Sequence, residues 1–475
     1  MPSFAGWVPL RWFAGPLDSP ATPHETWLKP ETLTLLKGTP INCLVVNWSA
    51  GRPEDSAQQQ ALRTLIERAK ADKLAIVGRV TSTASGAKAA GLDAIIADAA
   101  KVDGDEGLPI IPTSVAGAVP KGTSLICATK ALWPRIPGSW RTQEDRAERT
   151  EAGPTGAPWV DSNGWLAMTV AAKAPDTRLW LMPDLPKTVA SLRTEQYELA
   201  VADAAAYGAR WVLTFDPDFR ARLGKRETEA LESFKKISKA VEALRTVPAA
   251  QAKQQTKLLI ASNFEGAADK LAGEMVNLVG RRHLQAQVAR VDTLTSPAPD
   301  NITTLLLIVD RDPPSSLHKY IESFTSRGGL VIGPASLGHF APREATGNFD
   351  QRFDLYTMGK GKLAIARKPW TDPYQLAVDT HLMMSRKQDL VRLWNAGSTN
   401  VRYTASKNSG YVQVLNYAAR AAGHPMSLWV ANPYRTARLR TLNGVDQTLE
   451  ITSRNGGSEV SLPPFPVYAT VEFQD

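Results

Sequence analysis

Four aspartates stand at positions where chemistry is expected. Three of them end short apolar runs that resemble buried strands: Asp98 in "LDAIIAD", Asp184 in "TRLWLMPD" and Asp216 in "RWVLTFD". The fourth, Asp161, lies in "TGAPWVDSNGWLAMTV", at the end of a long loop. Paired carboxylates can act as acid, base or nucleophile on a glycosidic bond. We expect Asp184 to be nucleophile or base, with Asp161 or Asp216 as partner acid, although each aspartate can instead cap a helix or close a turn.

Tryptophans and polar side chains accompany these carboxylates. Flat indole faces stack on the C–H faces of sugars, while amide and guanidinium groups bind hydroxyls. The residues that we expect to line a sugar site are Arg11, Trp12, Asn47, Trp48, Trp159, Asn163 and Trp165. An individual tryptophan can equally fill or cap the domain, and Ser162 or Asn163 can start a helix.

The sequence contains few residues or motifs suited to metal binding, to Ser or Cys nucleophilic catalysis, or to nucleotide binding. His24 is the only histidine before residue 250, so a histidine-rich metal site and a Ser-His-Asp or Cys-His arrangement are not expected there. No GxGxxG or GxxxxGKS/T segment is present, and "GKGK" (359–362) lies in a predicted hairpin rather than before a helix. We expect no metal and no nucleotide cofactor.

The elements that would position these residues are eight apolar runs in the first half of the chain. Nearly continuous apolar character is typical of parallel strands that are covered on both faces. The runs are 5–12, 41–48, 74–81, 92–98, 108–114, 123–130, 177–184 and 210–216. Helical patterns separate several of them, and the count and length predict a (β/α)8 TIM barrel over residues 1–248, irregular around 98–123. In such a barrel, sites form at the carboxyl ends of the strands.

Two further domains are predicted beyond a linker at 245–255. Residues 256–395 alternate strand and helix patterns and predict a flavodoxin-like α/β domain, with a hairpin at 353–370 and a helix from 372 to about 396. Residues 396–475 contain short alternating runs and predict a small C-terminal β-sandwich.

Composition limits the partners that are expected. The net charge is +8, yet basic and acidic residues alternate, as in "RTQEDRAERTE", so no nucleic-acid surface is expected. No apolar run is long enough to cross a membrane. Cys43 and Cys127 lie in strand-like runs and are predicted to be buried free thiols. No signal peptide is visible, which fits a cytoplasmic protein or a secreted or periplasmic one whose leader was removed.

The domain order resembles that of family 42 β-galactosidases and related glycoside hydrolases. The second domain has no cysteine, so it is amidotransferase-like without the catalytic thiol, and "TMGKGKLAIARKPW…DPYQLAVD" is similar to the turn into the third domain of that family. The resemblance implies a retaining mechanism, with a glutamate acid/base after strand four, usually preceded by asparagine, and a glutamate nucleophile after strand seven. By position these are Asp98 and Asp184 here; neither is glutamate. It also implies trimers, hence a homo-oligomer.

Three functions are compatible with these residues. The leading hypothesis is a glycoside hydrolase acting on glycosides or oligosaccharides. The alternative is a non-catalytic carbohydrate-binding or assembly protein on the same scaffold. A third is a lyase or isomerase that uses Lys130, at the end of the sixth predicted strand, as a Schiff-base lysine.

Overall fold

The chain forms two compact units in its computed structural model. The structure describes residues 4–12, 24–48, 50, 55–80, 83–98, 101–113, 122–136, 159–185, 191–245, 253–294, 299–309, 315–342, 344–370, 372–421 and 423–475. The first unit contains the described residues between 4 and 134 and between 176 and 245. The second contains those at 135–136, 159–175 and 253–475.

The first unit is built on eight parallel strands, one within each predicted apolar run. They are β1 (Pro9–Arg11), β2 (Cys43–Asn47), β3 (Ala75–Arg79), β4 (Ala94–Ala97), β5 (Ile110–Pro112), β6 (Leu125–Ala128), β7 (Arg178–Leu181) and β8 (Arg210–Trp211). The first five pair in chain order, and so do the last three. A parallel bridge from Thr113 to Cys127 links the end of β5 to β6, and one from Leu10 to Leu213 links β1 to the segment that follows β8.

Inward side chains of these strands share one hydrophobic core. Its members include Cys43, Val77, Ile96, Cys127 and Trp180. Both cysteines are buried free thiols, as predicted. Burial raises the pKa of the Cys127 thiol to about 12, so this sulfur stays protonated and inert at neutral pH.

The described residues of the first half of the chain form six α-helices. They are α1 (His24–Leu28), α2 (Asp55–Ala71), α3 (Gly164–Lys173), α4 (Thr194–Ala206), α5 (Pro217–Gly224) and α6 (Thr228–Arg245). Short 3-10 helices occupy Phe4–Gly6 and Pro30–Leu36. Between β3 and β6 the described residues contain no helix. Helix α3 belongs to the second unit.

The second unit contains a seven-stranded, mostly parallel sheet. Its strands are β10 (Leu258–Ser262), β11 (Ala286–Arg290), β12 (Thr304–Ile308), β13 (Leu330–Gly333), β14 (Gly347–Phe349), β15 (Phe353–Met358) and β16 (Gly361–Ala366). Their order is β11-β10-β12-β13-β16-β15-β14. Strand β15 is antiparallel to both of its neighbours, β14 and β16, and β15 with β16 forms the predicted hairpin. Helices α7 (Gly266–Arg281), α8 (Ser315–Ser326) and α9 (Pro373–Met384) connect or follow these strands.

Two antiparallel sheets follow and share a second core. One has the order β17-β20-β24-β23 and the other β22-β21-β25-β19-β18-β9. The strands are β9 (Lys253–Gln254), β17 (Val391–Trp394), β18 (Thr399–Ala405), β19 (Ser409–Asn416), β20 (Met426–Val430), β21 (Thr436–Thr441), β22 (Asp446–Leu449), β23 (Thr452–Arg454), β24 (Gly457–Leu462) and β25 (Tyr468–Gln474).

Two local predictions were wrong. The predicted linker contains β9, which pairs with β18, because Gln254 and Lys253 complete the edge of that sheet. The helix predicted from 372 to about 396 ends at Met384, and Val391–Trp394 forms a strand because it pairs with β20. Among the described residues, no helix is long and apolar enough to span a membrane.

Candidate active site at the strand ends of the first unit

A carboxylate and two guanidinium groups meet at the carboxyl ends of three strands. Asp184 follows β7, whereas Arg11 ends β1 and Arg79 ends β3. Arg11 Nη1 donates to Asp184 Oδ1 over 2.8 Å, and Arg79 Nη1 lies 3.4 Å from the same oxygen. The Arg11 side chain is only 9% exposed, while that of Asp184 is 69% exposed. The carboxylate is thus bound by a nearly buried guanidinium and remains open to solvent.

The charge state of Asp184 follows from these neighbours. Partial burial acts to raise the pKa of its carboxyl, but the hydrogen bond and charge of Arg11, reinforced by Arg79, outweigh it. The pKa of Asp184 therefore lies below its usual value, and the group is ionised at neutral pH. An ionised, accessible carboxylate can act as nucleophile or base, or hold a cationic transition state.

A second carboxylate lies at the same ends of the strands. Asp98 follows β4 directly and is exposed, and Thr113 Oγ1, after β5, donates to Asp98 Oδ1 over 2.6 Å. Lys130, in the turn after β6, is also exposed, and Asn47, at the end of β2, is buried. Asp98 and Asp184 follow the fourth and seventh strands of the unit.

The carboxyl group of Asp216 makes structural hydrogen bonds inside the first unit. Its carboxyl accepts hydrogen bonds from the amide of Phe219 at the start of α5, the hydroxyl of Tyr197 and the amide of Leu192, at 2.8, 2.6 and 3.0 Å. The residue is 1% exposed. Capping of α5 and anchoring of Tyr197 account for this aspartate, and its carboxylate offers a ligand no open face.

Asp161 belongs to the second unit. It forms an ion pair with Arg135 at 2.7 Å, and the two backbones form an antiparallel bridge. The ion pair and the bridge engage Asp161 within the second unit, and the structure gives no support to the expectation that Asp161 is the partner acid of Asp184.

The tryptophans expected to line a sugar site are engaged elsewhere. Trp12 and Trp48 are buried; their Nε1 atoms donate to the carbonyls of Trp27 and Ser85 at 2.7 and 3.2 Å. In the second unit, Trp159 Nε1 donates to the carbonyl of Asn277 at 3.0 Å. Trp12 and Trp48 fill the interior of the first unit, where their apolar area is removed from water, whereas Trp159 is only partly buried.

The segment that starts α3 also packs inside the second unit. Asn163 occupies the N-cap position of α3 and is buried, without a side-chain capping bond. The Trp165 ring packs on Phe264 and against Gly273 of α7, whose missing side chain leaves space for the indole. The N-cap prediction for this segment is confirmed in position, and the partly buried indole of Trp165 packs against the core of the second unit.

Two residues that sequence reasoning left out of the site contact Asp184. Arg79 pairs with its carboxylate, and the buried Trp133 donates from Nε1 to its backbone carbonyl at 3.1 Å. Arg79 lies near the end of the predicted strand 74–81 and Trp133 follows the predicted strand 123–130, so their positions in the sequence already carried the signal. Residues of the long loop such as Trp140, Glu144 and Glu148 lie outside the described part of the chain. In the part that the structure describes, no three His, Cys, Asp or Glu side chains form a metal-binding group.

Solved structures similar to the chain include α-L-fucosidase isoenzyme 2 from Paenibacillus thiaminolyticus. It shares 10% identity at a TM-score of 0.61, covering 98% of this chain and 99% of that one. A β-galactosidase from Bacillus circulans sp. alkalophilus (9% identity, TM-score 0.46, 88% and 66% covered) and an exo-β-1,4-mannosidase from Opitutaceae bacterium strain TAV5 (10%, 0.47, 81% and 95%) are also similar.

The structural neighbours are glycoside hydrolases. No family model matches the sequence, and no curated protein matches it either. At 10% identity the likeness to the fucosidase concerns the fold over nearly the whole chain. The chain therefore has a mixed α/β fold with parallel-strand sheets that is similar to glycoside hydrolases, and the roles of individual residues rest on the geometry at the strand ends.

Proposed function

We propose that this chain is a glycoside hydrolase that acts on glycosides or oligosaccharides through carboxylates at the strand ends of its first unit. The observation that carries the proposal is Asp184, an accessible carboxylate after β7 that Arg11 and Arg79 keep ionised. The similarity to solved glycoside hydrolases supports the fold but not the residue roles.

The proposal includes the architecture that would position this site. The eight parallel strands, the two bridges and the shared core support a closed (β/α)8 barrel. The order β11-β10-β12-β13 supports a flavodoxin-type, amidotransferase-like domain, because it corresponds to 2-1-3-4 in that fold. The two antiparallel sheets with one core support a β-sandwich.

Asp184 and Asp98 take complementary roles in the proposed reaction. Asp184 attacks the anomeric carbon or stabilises the positive charge that develops there, since both roles need an ionised carboxylate. Asp98, on the fourth strand, donates a proton to the leaving oxygen and replaces Asp161 and Asp216, whose carboxylates make structural contacts. Arg11 and Arg79 hold Asp184 in place through the reaction.

The test is hydrolysis of a panel of aryl and alkyl glycosides by three variants. Asp184→Asn lowers kcat/KM by about 100-fold or more because the substitution keeps the shape and removes the charge. Asp98→Asn slows alkyl glycosides far more than dinitrophenyl glycosides, since a good leaving group needs little proton donation. The matched control is Asp292→Asn, which removes an exposed carboxylate also paired with an arginine, 2.6 Å from Arg290.

A carbohydrate-binding protein without catalysis is the second candidate, because two of the four predicted catalytic aspartates have structural contacts. Saturable sugar binding without turnover of any glycoside in the panel would contradict the hydrolase proposal and support a carbohydrate-binding protein. An activity that survives Asp184→Asn unchanged would remove Asp184 from the reaction.

A further inference from the structure

A separate cavity lies in the second unit, between the turn that joins β14 to β15, the end of β16 and the first turns of α9. Its volume is about 270 Å³. Gln351, Arg352, Trp370 and Gln375 are among its lining residues. The space suits one ring with its substituents rather than an extended chain.

One wall of the cavity is a fixed polar network. Arg352 Nε and Nη2 donate to the two oxygens of Asp379, each over 2.7 Å, and Gln375 Nε2 donates to Asp379 Oδ1 over 2.9 Å. Asp379 is 1% exposed. A buried carboxylate gripped by a guanidinium fork and an amide is held in one geometry, so the remaining polar edges of Arg352 and Gln375 are preorganised for a ligand.

Another part of the cavity wall is apolar. Trp370 is partly exposed in the wall, and Phe353 and Leu376 lie buried behind it. Aromatic and aliphatic surface beside fixed donors and acceptors matches a ligand that has both C–H faces and hydroxyl groups.

The charges at the cavity exclude a strong preference for anions. Arg352 is paired with Asp379 and Asp350, and Arg367 with Asp354. The charged residues in or beside the wall are the cations Arg352, Arg367 and Lys368 and the anions Asp350, Asp354, Asp372 and Asp379. These four anions outnumber the three cations, so the cavity does not favour an anion, and we expect a neutral polar ligand.

The turn that lines the cavity is a two-residue hairpin turn. Asp350 and Gln351 have φ of 47° and 55°, and Arg352 N closes the turn on the carbonyl of Phe349 at 3.0 Å. Two-residue hairpins favour this geometry because its twist matches that of the flanking strands, although glycine is the usual residue at such positions. Here the ion pair of Asp350 with Arg352 fixes the turn, and Gln351 is placed at the cavity.

We propose that this cavity binds a single neutral sugar unit, such as the end of a glycan, with its C–H face on Trp370 and its hydroxyls on Arg352, Gln351 and Gln375. The site lies in the second unit and does not use Asp184. The inference therefore does not depend on the proposed hydrolysis.

The test measures binding of the methyl glycosides of galactose, glucose, mannose and fucose to the full chain, by calorimetry and saturation-transfer NMR. At least one of them binds, and Trp370→Ala weakens that binding about tenfold through loss of the stacking surface. The matched control is Trp394→Ala, because Trp394 is 38% exposed, carries Arg454 over its ring at 5.7 Å and lies on β17. This control leaves the affinity unchanged.

Gln351→Gly provides a second test that does not depend on the tolerance of Trp370→Ala. Glycine adopts the left-handed conformation without strain, so this variant folds at least as stably while a polar contact of the cavity is lost. We expect about threefold weaker binding, the effect of one hydrogen bond.

The outcomes separate the two proposals. Binding that depends on Trp370 in a chain without glycosidase activity supports the cavity and removes the hydrolase. Hydrolysis that depends on Asp184, together with sugar binding that Trp370→Ala leaves unchanged, removes the cavity as a sugar site. Binding of none of the four glycosides overturns the inference of a neutral sugar.

Discussion

The guanidinium of Arg11 and the carboxylate of Asp184 are 173 residues apart in the chain and 2.8 Å apart in the structure. One partner is nearly buried and the other is open to solvent. A buried guanidinium needs a compensating charge, and here that charge belongs to a group which a ligand can reach. The ion pair thus fixes the accessible carboxylate of the candidate site to a buried side chain of the first unit.

Replacement of Arg11 by methionine should change the pH dependence of the proposed hydrolysis. The pKa of Asp184 is held low, chiefly by Arg11 against the effect of burial, and activity falls as the pH drops through it. In Arg11→Met the pKa rises, so the acid limb of the kcat/KM profile moves to higher pH. Arg222→Met, which removes an arginine paired with Asp218, leaves the limb in place. An unmoved acid limb in Arg11→Met contradicts this role.

Asp216→Ala should destabilise the first unit strongly. The substitution removes the cap of α5 and leaves the hydroxyl of Tyr197 and the amide of Leu192 without their acceptor. Loss of a cap and of buried partners costs about 3 kcal/mol together. The matched control is Asp218→Ala in the same turn, whose exposed pair with Arg222 is worth less than about 0.5 kcal/mol. Urea unfolding measures both, and equal losses would contradict the structural assignment.

The contact of Trp165 with Gly273 can be tested by a double-mutant cycle. A Cβ at position 273 would lie 2.8 Å from Cδ1 and Nε1 of Trp165, so Gly273→Ala costs about 1–3 kcal/mol despite its better helix propensity. Trp165→Ala costs about 2–4 kcal/mol through lost packing. Together they cost less than the sum, because the small side chain at 165 relieves the clash.

Gly338→Ala is the control for the glycine substitution, because no atom lies within 4 Å of its added Cβ. Its free energy of unfolding should stay within about 0.5 kcal/mol of the parent. Additive losses at 165 and 273 would show that the two side chains do not share one space.

Glu198→Gln should stabilise the protein at alkaline pH and not at acid pH. Burial, with a smaller effect of Glu195, raises the pKa of Glu198 to about 7 from its usual 4.5. The stability that the protonated group provides is complete below pH 4.5 and is lost as the pH rises to 7. Glutamine avoids this loss, so the free energy of unfolding rises by about 2 kcal/mol at pH 8.

Measurement at pH 4 and pH 8 tests this sign directly. The control is Glu232→Gln on α6, where the side chain is exposed; it changes stability little at either pH. A gain for Glu198→Gln that is equal at both values would exclude the titration as its cause.

Local patterns predicted the strands well and their ends less well. The eight strands of the first unit were found because side chains on both faces of a parallel strand are buried, which leaves a continuous apolar run. Residues 391–394 fit either a helix or a strand, and only pairing with β20 selects the strand. For Asp216 a local signal was present, since Asp216-Pro217 is the pair that starts a helix.

The sequence by itself determined which segments are buried, that both cysteines are interior thiols, and that the strand ends carry Asp98, Asp184 and Arg11. These properties depend on neighbouring residues and on apolar area. Only the tertiary structure decided that Arg11 and Arg79 meet at Asp184, that Trp12 and Trp48 are buried, and that Trp165 packs against a core. The partner of a side chain is set by packing between segments far apart in the chain, and the local sequence pattern does not specify that partner.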